Sequence, residues 1–554
     1  MHIDGRSLAS GSVETCDVCI VGSGPAGYAV ATALRGYGLD VVVLESGGLN
    51  SVTGPHNLSM LGSDSSEFAG HFHPSRRQVG GNASAWYIQA GKDHRWIRLA
   101  AFTEADLAGV AGGDTEGWPL SYDEYRHWLG KAGELFDLPP GCDFTPPPEG
   151  FDGAIRTPGQ ETRLYRFGDA DLLLANMLEL YEKSPEIRLI SRAYATEILP
   201  SETGDNIRAL VFATDPGKTH QIRAKTFVLA GGGIAIPQLM LASRSVQPEG
   251  VGNQYDTVGR WMMDHPLIAG GDFYPADPAM FRAAAIYDMH ENDGAPYMGF
   301  LTATQDTQTQ AHQIAFNSLF FAREAGWKVK IENKRHKQGV AAALTILAAL
   351  RERRIPPLSA AFNMLIGLDG VIDRLLERYN HNAPASLTRG GWSKDTERKF
   401  DRFEVLHIVE QRPRRENRIT LSAERDPFGV PKAKLDWYWN DEDARAVIAA
   451  QDALAAELEA SGIGRYDIQR DNGKPIVYSA SARHFMGTTR MSADPKTGVV
   501  DANCRVHGLA NLFIASSSVF PTGGYANPTL SITALGLRLG EHLLQLLQSL
   551  PPVL

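Results

Sequence analysis

Residues 15–47, TCDVCIVGSGPAGYAVATALRGYGLDVVVLESG, constrain the fold more than any other stretch of the chain. Cys16 to Val21 is a short apolar run of strand character. Gly22-Ser23-Gly24-Pro25-Ala26-Gly27 is a GxGxxG loop, and the Ala-rich residues 25–36 read as a helix. A second apolar run at 39–44 closes on Glu45. In such a βαβ unit the first glycine permits the tight turn, the second lets a pyrophosphate approach the backbone, and the third lets helix and strand pack closely. The phosphates sit on the helix N-terminus, where free N–H groups and the dipole favour an anion. Glu45 stands 23 residues after Gly22, where a carboxylate accepts from ribose hydroxyls. A lone GxGxxG also occurs in ordinary βα turns. Here strand, loop, helix, second strand and acid stand in order, which points to dinucleotide binding.

At the other end lie SARHFMGTTRM, 481–491, and NCRVHGLANLFIASSSVFPTGGYANPTLSITALGLRLGEHLL, 503–544. His484 precedes a Gly-Thr turn, and Asn527 follows 43 residues later in a Gly-rich loop that opens an apolar helix. A base and a hydrogen-bonding amide at a helix mouth suit the handling of a proton beside a hydride acceptor.

At 554 residues the chain exceeds one core of ordinary size, so two joined domains are expected. A net charge of −10 argues against nucleic-acid partners, which call for a broad basic surface. Four cysteines make no disulfide framework. Cys16 and Cys19 fall in one strand, where residues three apart face opposite sides, and no second pair completes a zinc site. No metal site is expected: His71, His73 and His94 lack acids at ligand spacing. The N-terminus has no basic and apolar leader pattern. The most apolar helical run, 339–350, falls short of the ~18–20 residues that span a bilayer. A cytoplasmic protein without membrane contact is the expectation. Arg351-Glu352-Arg353-Arg354 reads as a solvated helix face.

The nucleotide unit is followed by a Gly/Ser/His-rich loop and by RRQVGGNASAWYIQAG at 76–91. GWPLSYDEYRHWLGKAGELF, 117–136, is a Trp-Pro turn entering an amphipathic helix, with Asp123 and Glu124 in its first turn. Strand-like runs from 187 to 229 lead into TFVLAGGGIAIPQLMLAS, 226–243, another strand, glycine turn and helix. VGRWMMDHPLI, 258–268, marks an exit, with His265 read as a structural residue of its turn; His507 is read likewise. From about 270 to 475, strands at 314–322, 404–410 and 416–421 alternate with helical stretches at 337–380 and 440–462.

Together these blocks resemble the glucose–methanol–choline (GMC) oxidoreductases. The resemblance rests on IVGSGPAGY…LES, RQVGGNASAW, WPLSYDEY, LAGGGIAIPQLMLAS, GRWMMDHP and the C-terminal block, while EQRPRRENRITLSAERDPFGVPKAKLDW, 410–437, looks most like the pyranose oxidase-like, sugar-oxidising branch. It implies an α/β chain: a discontinuous Rossmann-type FAD-binding domain (1–100, 187–268 and 476–554), a connecting excursion (101–186), and a substrate domain on a mostly antiparallel sheet with helices (269–475). Residues 275–400 match nothing in the family pattern, and substrate choice is expected there.

By the same resemblance His484 is the active-site base and Asn527 its partner in FAD-dependent oxidation of an alcohol. The expected substrate is a sugar, glycoside or aminosugar hydroxyl. FAD contacts are implied for Gly22, Ser23, Gly24, Pro25, Ala26, Gly27, Glu45, Ser46, Gly80, Gly81, Ala83, Ser84, Trp86, Ala195, Ala230, Gly231, Ser516, Asn527, Pro528 and Thr529. Two departures stand out. Some relatives link FAD through a histidine just before the Trp of this motif, where this chain has Ala85, so non-covalent FAD is expected. Many carry an acid near 516, where this chain reads Ala515-Ser516-Ser517-Ser518. A sterol or long-chain alcohol, with helices 337–380 as an entry lid, is the alternative substrate class. A flavin electron-transfer or structural partner is the non-enzyme alternative, and an NAD-dependent dehydrogenase leaves the C-terminal block unexplained. Oxygen, a quinone and a protein all stand open as electron acceptor.

Overall fold

The computed structural model describes residues 1–49, 56–66, 76–84, 86–90, 94–109, 117–144, 154–290, 296–310, 313–323, 327–351, 354–368, 371–372, 392–393, 400–479 and 481–549. The nucleotide motif lies in the middle of an eight-stranded sheet. Val13–Val21 pairs in parallel with Val41–Glu45 on one side and Lys218–Leu229 on the other. Ile187–Ser191 and His2–Asp4 extend the parallel part, and Leu512–Ile514 joins it beside Phe227–Leu229. Ile207–Asp215 and Tyr194–Pro200 add an antiparallel edge. The central strands are unbroken apolar runs because both sheet faces are covered: Val18, Cys19, Ile20 and Val41 to Leu44 are all buried.

One of the covering layers brings the two ends of the chain together. The helix Pro25–Leu34 packs on the helix Thr529–Ser549. The contact runs through small residues: a Cβ on Gly536 would stand 2.8 Å from the Ala29 methyl, and one on Gly540 2.5 Å from the Ala33 methyl. Backbone approach this close is what Ala and Gly at these spacings permit.

A second, antiparallel sheet runs in the order Gly464–Ile468, Leu267–Pro275, Arg402–Val409, Phe316–Arg323, Tyr297–Ala303, Gln160–Asp169, His94–Leu99, Ile88–Ala90, with Val477–Ser479 also pairing with Leu267–Pro275. Strands at 88–99 and 160–169, grouped in the sequence with the nucleotide unit and with an excursion, thus hydrogen-bond into this sheet. Its interior includes a polar station at His407. His407 is fully buried, with Nδ1 2.9 Å from Ser318 Oγ and Nε2 3.1 Å from Tyr466 OH.

The helices Trp327–Arg351 and Leu358–Ile366 cross where Gly339 meets Gly367. They carry exposed apolar side chains, among them Leu347, Leu358, Phe362 and Leu365. Among the described residues no helix is long and apolar enough to cross a membrane. All four cysteines are free thiols.

Candidate active site

The glycine loop turns as its sequence requires. Gly22 has φ +113°, and a Cβ there would stand 2.6 Å from the Ala230 carbonyl oxygen. A Cβ on Gly27 would stand 2.0 Å from the Gly22 oxygen, so only glycine lets the helix start against the strand. Gly24 caps the helix with no side chain, and Pro25 occupies its first turn. The N–H groups there keep their capacity for an anion. A Cβ on Gly24 would meet only the Gly80 oxygen, at 4.0 Å, so the space beyond the turn is open. Gly80 and Gly81 form a left-handed turn against Gly24, with the Gly80 N–H donating to Ser23 Oγ at 3.2 Å.

Glu45 is buried, and its carboxylate already accepts from Ser23 Oγ (2.7 Å), the Ser23 N–H (3.2 Å), the Gly47 N–H (2.8 Å) and Ser46 Oγ (3.2 Å). These bonds brace the loop, a role the spacing of Glu45 did not reveal. Ala83 is buried and Trp86 half-buried; the side chain of Ser84 and all of Ala85 lie outside the described residues, as do His71, His73 and the side chain of His94. Ala195 is the second residue of the strand Tyr194–Pro200, directly after Ala193, whose N–H donates to the Glu45 carbonyl. Ala230 and Gly231 form the second glycine turn, which abuts the first.

The histidine segment lies against this second turn. Thr488 Oγ1 donates to the Gly233 carbonyl at 2.7 Å, and the N–H groups of Gly487, Thr489 and Met491 donate to the carbonyls of Ser517, Ser518 and Val519. The serines are engaged there too. Ser517 Oγ donates to the Phe485 carbonyl, Ser518 Oγ accepts from Thr489 Oγ1, and Ser516 Oγ accepts from the Ser518 N–H. Pro528 immediately precedes the last helix, its carbonyl accepting from the Ile532 N–H, and Thr529 begins it; both are buried.

These contacts bring His484 to Asn527. Asn527 Nδ2 is 3.3 Å from His484 Nε2, and both residues are half-buried. On its other side His484 Nδ1 is 2.8 Å from Nδ1 of His265, which is fully buried and whose Nε2 is 3.1 Å from the Gly523 carbonyl. Asp264 joins the two histidines. Its Oδ1 accepts from the His265 N–H at 2.7 Å and the His484 N–H at 2.9 Å, while Ser481 Oγ donates to Oδ2. Burial lifts the Asp264 carboxyl to about 6. Burial, then the charges of His265 and Arg98, hold His484 well below the ordinary imidazole range. Burial lowers His265 to about 4.

The second sheet supplies further polar groups. Arg98 is buried, with its guanidinium 4.6 Å above the Tyr165 ring. Asn317 Nδ2 donates to the Tyr525 carbonyl at 3.4 Å, two residues before Asn527. Tyr165 OH lies beside the Asn317 side chain, which lowers its pKa against the larger effect of burial, while Arg98 Nη1 and Asn527 Oδ1 are buried atoms without a hydrogen-bond partner among the described residues. Buried polar atoms are normally paired, so orphans beside the His484–Asn527 pair mark a place where a ligand belongs.

A family model described as FAD dependent oxidoreductase matches residues 17–294, half of the chain, and one described as GMC oxidoreductase matches residues 413–536. The chain belongs to the FAD-dependent GMC oxidoreductases. It is similar to the fructose dehydrogenase large subunit of Gluconobacter japonicus, at 26% identity over 63% of this chain and 52% of that protein. It is similar over nearly its whole length to the 2-methyl-1,2-propanediol dehydrogenase of Mycolicibacterium austroafricanum, at 22% identity over 96% of each chain. A third relative is the 6'''-hydroxyparomomycin C oxidase of Streptomyces lividus, at 24% identity over 97% of this chain and 92% of that one. As in the family, the cofactor is FAD. The open turn at Gly24 and the helix start without a side-chain cap fit it.

For a GMC oxidoreductase, this sequence hid three neighbours of the site. Asp264 and His265 read as a turn, and Arg98 as one residue of a strand. Their only local signal is polarity in the apolar runs WMMDHPLI and WIRL. In contrast, Glu124 of the Asp123-Glu124 pair forms an ion pair with Arg538 on the surface.

Proposed function

We propose that this enzyme oxidises a hydroxyl of a sugar, glycoside or aminosugar to the carbonyl, with FAD bound non-covalently. The observation that carries the reading is the pairing of His484 Nε2 with the Asn527 amide at a half-buried helix mouth. Bound FAD supplies the acceptor for the hydride that leaves the carbinol carbon. His484 takes the hydroxyl proton; a neutral imidazole is required, and its lowered pKa keeps it neutral at ordinary pH. The Asn527 amide donates to the oxygen as negative charge develops on it, which acts mainly in the transition state. One proton and one hydride leave the alcohol, and the carbonyl forms.

The glycine turns at Gly22–Gly27, Gly80–Gly81 and Ala230–Gly231 would hold the FAD phosphates and ring system, with Ser23, Glu45 and Ser46 shaping the loop. The buried polar groups on the sheet, Arg98, Tyr165 and Asn317, favour a polyhydroxylated substrate. A sterol would leave Arg98 Nη1 unpaired, at roughly 1–3 kcal/mol. The names of two relatives, a fructose dehydrogenase large subunit and a 6'''-hydroxyparomomycin C oxidase, support the same class.

The test is anaerobic flavin reduction by a panel of sugars, glycosides, aminosugars and a sterol. A sugar-type alcohol should bleach the flavin. His484→Ala should slow that reduction by about 10²–10⁴-fold with flavin content unchanged. An unimpaired variant, or reduction by the sterol alone, sinks the reading. Readmitting air then separates an oxidase from a dehydrogenase.

A further inference from the structure

His265 is fully buried beside His484, their rings 5.0 Å apart and nearly perpendicular. The geometry leaves little freedom. Asp264 Oδ1 holds the backbone N–H of both histidines. Met263 and Met486 exchange paired backbone hydrogen bonds, and the Ala482 N–H donates to the His265 carbonyl. The two Nδ1 atoms are therefore held 2.8 Å apart, a contact in which one must donate and the other accept.

The Gly523 carbonyl decides which. A carbonyl oxygen only accepts, so the His265 nitrogen beside it, Nε2, carries the hydrogen. Neutral His265 then presents a lone pair at Nδ1. His484 must donate from its own Nδ1, and its Nε2 is left as a lone pair facing Asn527. Burial keeps His265 neutral at working pH.

We propose that His265 is a positioning residue that, through the Gly523 carbonyl, fixes His484 in the Nδ1–H tautomer so that Nε2 is its proton-accepting atom. This rests on the reading of His484 as the base. The charged and titratable groups near His484 are His265, Asp264, Arg98 and Arg483; of these, His265 meets its ring nitrogen, and Asp264 meets its backbone. Without His265, the one remaining contact among the described residues that favours the hydrogen on Nδ1 is the longer approach of Asn527 Nδ2 to Nε2, at 3.3 Å, and that amide is the group that must also turn to the substrate oxygen. The Nε2–H tautomer would turn the base into a donor toward substrate.

Two variants of the holoenzyme separate this from a merely structural role. His265→Gln can keep an acceptor toward His484 and a donor toward Gly523; His265→Leu keeps bulk without either. With flavin content unchanged, His265→Leu should lower kcat about 10²–10⁴-fold with KM little altered, and His265→Gln should recover most of that loss. In 15N-histidine NMR of the wild-type holoenzyme, the resonances that vanish in His484→Ala should show a protonated Nδ1 and an unprotonated Nε2. An Nε2–H tautomer of His484 in the wild type overturns the proposal, as does a His265→Leu enzyme with wild-type kcat. If His265→Leu fails to fold, the wild-type tautomer and the kcat of His265→Gln decide. If His484→Ala keeps full activity, the base reading falls, while the NMR still judges the role of His265.

Discussion

At the residue scale, the environment of His484 makes it a weaker base than free imidazole but one that is neutral over a wide pH range. Three effects act in the same direction: burial, His265 and Arg98. The active form is neutral, so kcat/KM should be lost as pH falls, with the acid limb below the ordinary imidazole value of about 6.5. Arg98 disfavours a second positive charge on His484. Removing that charge in Arg98→Met should raise the pKa of His484 and move the acid limb to higher pH, as a kcat/KM–pH profile would read. An unmoved limb would mean that the guanidinium is screened from the imidazole. Glu45 carries a different residue-scale lesson. Its place after the second strand was legible because the βαβ unit is local, but its bonds to Ser23 and Gly47 depend on how the loop folds back.

At the scale of elements, the glycine positions were legible because each answers a steric demand within a short span of chain. Gly27→Ala sets a methyl against the Gly22 carbonyl, where 2.0 Å is far inside van der Waals contact. The expected result is loss of bound flavin from the purified protein, seen in its absorption spectrum, alongside reduced stability. The strands read at 314–322 and 404–410 and the helix at 440–462 followed from apolar periodicity for the same local reason, whereas the strands Gln160–Asp169, Leu267–Pro275 and Tyr297–Ala303 did not stand out in the sequence. Membership of a sheet did not follow. Nothing in HRWIRL says that it pairs with the strand Gln160–Asp169, because a strand pattern encodes a face and not a partner. The station at His407 shows what such pairing creates. It links the strands Phe316–Arg323, Arg402–Val409 and Gly464–Ile468, and burial pushes its imidazole down to about 3. A His with a depressed folded pKa stabilises fully above its unfolded value, about 6.5, and loses that contribution as pH falls toward 3. His407→Leu should lower the melting temperature of the holoenzyme at neutral pH, since Ser318 and Tyr466 lose their partner at a cost of about 1–3 kcal/mol each. An unchanged melting temperature would show that water replaces the imidazole.

At the scale of the whole molecule, the parallel sheet draws on both ends and the middle of the chain, and the last helix packs on the first helix of the nucleotide motif. The nucleotide turn and the segments that carry His484 and Asn527 are therefore held by one sheet and its covering helices. No cross-link assists them. The four thiols are free, and burial pushes those of Cys16 and Cys504 up to about 12, so they are poor nucleophiles. A reductant should leave the melting temperature of the holoenzyme unchanged, and a fall would reveal a disulfide. By itself the sequence determined the nucleotide turn, whose geometry is local, and the family and FAD, through the order of short motifs along the chain; it also singled out His484 and Asn527 as candidates for the site. Only the tertiary structure decided what surrounds that pair. His265 stands 219 residues from His484 in the chain, and the hydrogen that orients the base is set by a carbonyl at Gly523. Such contacts arise where two segments cross, and no spacing within either segment records the crossing.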